Sequence, residues 1–123
     1  MHAATFIRRR EIVLETQLTH KPGLLRLITV HEVFHFVWAR LGNPARRSYA
    51  ALLKAELASR ARGELGESSS VKKSSACTPD YVCESFCDTA AWLYAGVRRS
   101  PAFTLAARWR NFRRSWFEDT FAS

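Results

Sequence analysis

The pattern HEVFH at residues 31–35 places two histidines and a glutamate where they can do chemistry together. If the segment is helical, each residue turns by about 100°, so His31 and His35 point only about 40° apart. Two imidazoles one helical turn apart can bind a single zinc ion. Glu32 projects beside them, from where its carboxylate can take a proton from a zinc-bound water without binding the metal itself. The spacing therefore predicts a metal site able to hydrolyse a bond.

The rest of this helix favours a buried position for the motif. His31 and His35 share a face of the helical wheel with five apolar residues. These are Leu24, Leu27, Ile28, Trp38 and Ala39. A carboxylate on such a face is costly to bury unless it is compensated, and a metal with its water would compensate it. The alternative is that hydrogen bonds satisfy both histidines and that Glu32 pairs with an arginine of another helix.

A catalytic zinc ion usually has three protein ligands, so the motif needs a third. The longer signature HExxHxxGxxH is excluded, because Trp38 and Leu41 stand where it requires its glycine and its third histidine. Glu84 is the preferred candidate. Asp88 follows it by one turn on the same face and can accept the outer N–H of a zinc histidine. Alanines continue this face and would let the two helices approach closely.

Other interpretations of the third ligand remain open. Glu56 also follows the motif on a predicted helix, but Arg60 comes one turn later, and the simpler interpretation is a surface glutamate. Asp88 could itself be the ligand. Glu84 and Asp88 could also be an ordinary acidic pair on a solvated face. His20 precedes the motif and could line a pocket, although such a residue is more often simply exposed.

Four prolines mark helix starts, because the first helical position needs no N–H donor and suits the fixed φ of proline. The helices that begin at Pro22, Pro44, Pro79 and Pro101 are predicted to span 22–41, 44–62, 79–95 and 101–117. Residues 11–18 alternate like a strand that could pair with the stretch at 5–7. Residues 63–78 are rich in glycine and serine and predict a flexible loop. The expected fold is a single α+β domain that is predominantly helical.

The five site residues together resemble a known class of peptidases. His31, Glu32 and His35 form the motif, and Glu84 and Asp88 stand four residues apart on a later helix, as in the gluzincins. By its size the chain is similar to the minigluzincins, reduced members of the zincin fold. The alanine-rich run that follows Glu84 is similar to that of small HExxH proteins that cleave phage-type repressors.

This resemblance implies a zincin-like metallopeptidase domain over residues 1–123, with Zn²⁺ held by His31, His35 and Glu84. The expected reaction is hydrolysis of a peptide bond in a peptide or protein substrate by a zinc-bound water that Glu32 activates. Tyr81, on roughly the same face as Glu84, is the candidate for stabilising the oxyanion.

The net charge of the chain points to a second function. Lys and Arg number 19 against 11 Asp and Glu, a formal charge of +8, which favours acidic partners. Four arginines lie on the predicted last helix: Arg108, Arg110, Arg113 and Arg114. The alternative is therefore a catalytically weak or latent zinc-binding module that binds nucleic acid or an acidic partner through this helix. Latency could come from the N-terminal segment or the 63–75 loop.

Aromatic residues also recur on the predicted last helix. They are Phe103, Trp109, Phe112 and Trp116, and their helical spacing indicates a place in the core or a dimer seam.

The three cysteines cannot all pair with one another. Cys77, Cys83 and Cys87 therefore favour reduced thiols in a cytoplasmic protein. Their spacing is not that of a CxxC zinc cluster, and Cys83 and Cys87 are predicted to be buried thiols off the Glu84 face. We find no apolar run long enough for a signal peptide or a transmembrane segment.

Overall fold

The computed structural model describes residues 22–66 and 77–122. Four helices are present in these ranges: α1 (Pro22–Arg40), α2 (Asn43–Ala58), α3 (Pro79–Tyr94) and α4 (Ala107–Phe121). The prediction of a mainly helical fold is confirmed. The predicted strand at 11–18, and its partner at 5–7, lie outside the described residues. Within them, the β pairing is one isolated antiparallel bridge between Leu65 and Phe103.

The first three helices begin at or beside their predicted prolines. The Thr78 side chain caps α3, because its Oγ1 accepts a hydrogen bond of 3.2 Å from the backbone N–H of Tyr81. Helix α2 ends at Ala58, four residues before its predicted end at 62. Arg60, just beyond, has a φ of 59°, a left-handed conformation that cannot continue an α-helix.

The predicted start of the last helix at Pro101 is wrong, because α4 begins at Ala107. The intervening backbone pairs with the segment after α2 instead. The N–H groups of Thr104 and Leu105 both donate to the carbonyl of Glu64, at 2.8 and 3.0 Å. Gly63 permits this approach, because it has a φ of 88° and a Cβ there would lie 2.3 Å from the Thr104 carbonyl oxygen.

Of the loop predicted at 63–78, the structure describes residues 63–66 and 77–78. Glu64 and Leu65 are buried, and Leu65 packs with Phe103, Leu105 and Trp109 in a small apolar cluster. Residues 67–76 lie outside the description. The first part of this loop is therefore fixed to the segment that precedes α4.

The main core is aromatic and lies where all four helices meet. Its buried centre includes Tyr49, Leu53, Phe86 and Phe117, and Phe34 and Trp38 of α1 pack against it. Helices α1 and α3 form the most extensive contact between two helices. Ala91 on α3 and Ala95 directly after its end are both buried, in agreement with the predicted close approach.

The aromatic residues predicted to share the last helix occupy different environments. Trp109 is buried on α4, whereas Phe103 precedes that helix and is buried in the small cluster. Phe112 keeps 47% of its surface exposed, and Phe117 takes the central place in the core. The dimer seam stays a prediction.

A buried arginine joins α2, α3 and α4. Arg113 is fully buried, and its Nε and one terminal nitrogen each donate to a different oxygen of Glu56 at 2.7 Å. The guanidinium also donates to Glu64 at 3.2 Å and to Thr89 at 3.1 Å. Tyr81 donates from its hydroxyl to the second oxygen of Glu64. A charge buried so completely is tolerated because its donors are matched by acceptors.

We predict that Arg113→Met lowers the free energy of unfolding by about 3–5 kcal/mol, because two buried carboxylates lose their cation. Arg114→Met is the matched control. Arg114 is exposed and its guanidinium lies over the Trp92 ring at 4.9 Å, so we expect a loss of about 1 kcal/mol or less. Urea unfolding followed by circular dichroism measures both, and equal losses would contradict the assignment.

Candidate metal centre

Helices α1 and α3 bring two imidazoles and a carboxylate together. His31 and His35 are 7% and 8% exposed, and their ring centroids are 5.0 Å apart. The Nε2 atom of His31 lies 3.0 Å from Glu84 Oε1, and Nε2 of His35 lies 3.2 Å from Glu84 Oε2. Neither Nε2 atom meets the geometry of a hydrogen bond. Ligand atoms about 2.0–2.1 Å from a tetrahedral zinc lie about 3.3 Å from one another, so this spacing fits a shared ion.

Asp88 orients one of the two histidines. Its Oδ1 lies 2.7 Å from Nδ1 of His31, and Nδ1–H is the donor because an ionised carboxylate can only accept. This bond leaves Nε2 of His31 facing Glu84. A carboxylate bonded to the outer nitrogen of a ligand histidine is the usual support of such a ligand. The structure thus places Asp88 beside Nδ1 of His31 and Glu84 beside its Nε2.

Gly66 lies directly against the carboxylate of Asp88. A Cβ on Gly66 would lie 2.4 Å from Cγ of Asp88 and 2.6 Å from each of its carboxylate oxygens. No larger residue fits there while Asp88 holds His31. The segment after α2 therefore lies against the carboxylate that holds His31, a contact that the sequence alone did not predict.

Two cysteines adjoin the centre, and sequence reasoning missed them. Cys83 Sγ lies 3.6 Å from Nδ1 of His35, and it groups with His35 and Glu84. Cys87 is buried and groups with His31 and His35, with ligand atoms within 4.8 Å of one another. The prediction that both thiols lie away from the Glu84 face was wrong. The position of Cys87 three residues after Glu84 places the two on neighbouring parts of the helix surface, but this spacing alone gives no distance to the histidines.

The buried histidines and Cys87 are thus close enough to hold a metal ion, and Glu84 lies beside both histidines. No disulfide joins any of the three cysteines.

Glu56 and Tyr81 belong to the Arg113 network. Both oxygens of Glu56 are bonded to Arg113, and the residue is buried, so its interpretation as a surface glutamate was wrong. Glu84, rather than Glu56, lies beside the histidines. The Tyr81 hydroxyl donates to Glu64, and its role in stabilising an oxyanion stays a prediction.

Glu32 is buried, with 3% of its surface exposed, as its place on the apolar face of α1 predicts. A cavity of about 300 Å³ adjoins the centre, and its wall includes His31, Glu84 and Asp88. Glu32 and His35 are not part of that wall. His20 lies outside the described residues. The action of Glu32 on a water stays a prediction.

The charges of the centre shift its pKa values strongly. Burial lowers the pKa of His31, but Asp88 and Glu84 outweigh burial and raise it to about 9. Burial likewise lowers the pKa of His35, and the neighbouring Cys83 and Glu84 raise it to about 10. Burial raises the pKa of Glu84, but the two histidines lower it to about 2. Without a metal, the cluster is a set of ion pairs.

The basic face predicted on the last helix is reduced in the structure. Arg113 is buried, and Arg110 donates to the carbonyl oxygens of Phe103 and Leu105 at 2.7 and 2.6 Å. Arg108 and Arg114 are exposed and lie over tryptophan rings. The expectation that Arg113 contacts an acidic partner was therefore wrong.

Comparisons with protein-family models, with curated proteins and with solved structures found no match. Among the described residues, we find no helix that is both long and apolar enough to cross a membrane.

We predict that metal-stripped protein loses stability as the pH rises from 7 to 10. The pKa of His31 is raised from 6.5 to about 9, so its stabilisation is complete below pH 6.5 and lost through about 9. The pKa of Glu84 is lowered from 4.5 to about 2, so its contribution is complete above pH 4.5 and lost only in strong acid. Urea unfolding with a chelator present measures this. Glu84→Gln should flatten the decline, and an unchanged profile in that variant would refute the pairing.

We also predict that Gly66→Ala weakens the affinity for added Zn²⁺ by about 10- to 100-fold, because the new methyl group displaces Asp88 from His31. Gly42→Ala is the control, since a Cβ there meets only Cδ of Pro44, at 3.6 Å. Competition with a chromogenic chelator measures both affinities. Equal affinities in the two variants would show that Asp88 does not support the ligand.

Proposed function

We propose that this chain is a zinc-dependent metallopeptidase in which His31, His35 and Glu84 hold the ion. The observation that carries this proposal is the approach of both Nε2 atoms to one carboxylate, at 3.0 and 3.2 Å. Two imidazoles and a carboxylate, with one position left for water or substrate, are the ligand set of a catalytic zinc. The same residues are those that the resemblance to the gluzincins implies.

The ligands and their surroundings suit a zinc ion. Imidazole and carboxylate ligands both suit zinc, which accepts the tetrahedral arrangement that a helix pair can offer. Asp88 holds the His31 ring so that Nε2 faces the other donors. The cavity beside His31 and Glu84 gives a ligand access to the centre.

A bound zinc ion would supply a Lewis acid that polarises the substrate carbonyl and makes water a better nucleophile. Glu32 takes one proton from the attacking water, so that a C–O bond forms at the carbonyl carbon. It then gives this proton to the amide nitrogen as the C–N bond breaks. Asp88 keeps the His31 ring oriented throughout.

We predict that purified protein holds one equivalent of zinc by elemental analysis and that His35→Ala loses it. Glu32→Gln should keep the metal but cleave a fluorogenic peptide library about 10²- to 10⁴-fold more slowly, because the proton acceptor is gone. Glu118→Gln, the same change at an exposed site on α4, should leave the rate unchanged. Cleavage at the wild-type rate by Glu32→Gln would rule out this mechanism.

A second function is favoured by the thiols. If Cys87 or Cys83 completes the coordination, the site is closed, as in structural zinc sites, and the chain is a zinc-stabilised binding module without hydrolytic activity. Cys83→Ser and Cys87→Ser separate the two functions, with Cys77→Ser as control. Loss of zinc in a thiol variant but not in Glu84→Gln supports the module. The reverse result supports the peptidase.

A further inference from the structure

The wall of the cavity beside the candidate metal centre combines polar and apolar residues. Its ionisable residues are His31, Glu84 and Asp88. The rest of its wall is mainly apolar and comes from α1, α3 and the two paired segments before and after α3. The apolar residues are Leu24, Leu27, Ile28, Leu65, Ala91 and Pro101. A molecule inside this cavity therefore lies beside two of the proposed zinc ligands, His31 and Glu84, and against a mainly apolar wall.

The volume of the cavity limits what it can hold. It measures about 300 Å³, and a cavity of about 150 Å³ is enough to bind benzene. A phenyl ring or a branched aliphatic chain fits, with room for the adjoining backbone. Cavities of this size and character are typical of sites for small apolar groups.

Charge excludes most other side chains. Glu84 and Asp88 lie in the wall, where both pair with His31, and the wall contains no lysine or arginine that could pair with an acidic side chain. An acidic side chain would therefore be buried without a partner, and a lysine would leave water for a wall whose carboxylates are already paired. The chemistry of the wall thus selects a neutral, apolar group.

We propose that this cavity binds a large apolar side chain of the peptide substrate, next to the bond that is cleaved. The inference rests on the proposed peptidase function for its substrate, but the cavity itself is tested without the metal. Phenylalanine, leucine and methionine fit best, because they bury the most hydrocarbon.

The first test uses metal-stripped protein and N-acetyl-L-phenylalaninamide. We expect saturable shifts in the methyl NMR signals of Leu24, Leu27 and Ala91, and none with the matching aspartate derivative. Ala91→Leu fills the cavity and should abolish the shifts, whereas Ala51→Leu, the same change at an exposed helical site, should keep them. If Ala91→Leu does not fold, Ala102→Leu fills the cavity from the opposite segment. Shifts that persist in a folded filled variant, or their absence in wild type, overturn the proposal.

The second test uses zinc-loaded protein and two hydroxamates with the same metal-binding head. We expect 3-phenylpropanohydroxamate to bind about 10- to 100-fold more tightly than acetohydroxamate, from burial of the phenyl group. This difference should disappear in the filled variant, with acetohydroxamate affinity unchanged. Equal affinities of the two hydroxamates for the wild type overturn the cavity proposal and leave the zinc site standing. If neither binds while the amide does, the zinc site fails and the cavity proposal survives.

Discussion

Polar groups at the contact between α1 and α3 are costly to bury unless they are paired, because little water reaches them there. The contact lowers this cost by placing acidic groups of α3 opposite the imidazoles of α1. Asp88 takes the outer nitrogen of His31, at 2.7 Å, and Glu84 spans the inner nitrogens of both histidines. The same pairing brings the donor atoms of the centre together. The packing of α1 against α3 and the arrangement of the donor atoms therefore depend on the same pairing of carboxylates with imidazoles.

Helix α3 meets polar partners on two sides. Glu84 and Asp88 face α1, while Ser85 and Thr89 each lie 3.0 Å from the hydroxyl of Tyr49 on α2. Most residues of α3 are buried between these neighbouring helices. Hydrogen bonds on the second side require specific partners, so they resist rotation of α3 about its axis. A rotation of the helix would move Glu84 away from the histidines, so the second network helps to keep the centre in register.

The sequence was sufficient to predict which residues share one face of the same helix. His31 and His35 share a face because of helical periodicity, and Glu84 and Asp88 do so for the same reason, so both pairs were predictable. The pairing between them was an inference from chemistry, and the distances agree with it. By contrast, the partnership of Glu56 with Arg113 joins residues far apart in the chain, and no local pattern indicates which glutamate an arginine will meet.

The errors at Pro101 and at the cysteines have similar causes. A proline after a serine suits a helix start, but the backbone at Thr104 and Leu105 pairs with Glu64 instead, and this tertiary contact outweighs the local preference. Cys83 and Cys87 lie within reach of the histidines because α1 and α3 pack so closely. That distance depends on small side chains along the contact and cannot be read from the spacing of the cysteines.

The short segment of residues 64–66 touches both polar systems. Glu64 binds Arg113 and Tyr81, and two residues later Gly66 lies against Asp88. If the proposed site binds a cation, ordering of this segment and binding of the cation are thermodynamically linked, and the linkage is reciprocal. Whatever free energy a bound cation gains from a well-placed Asp88, the same amount is added to the resistance of the segment to local opening. Conversely, a change that pulled residues 64–66 away would weaken the binding of that cation by an equal factor.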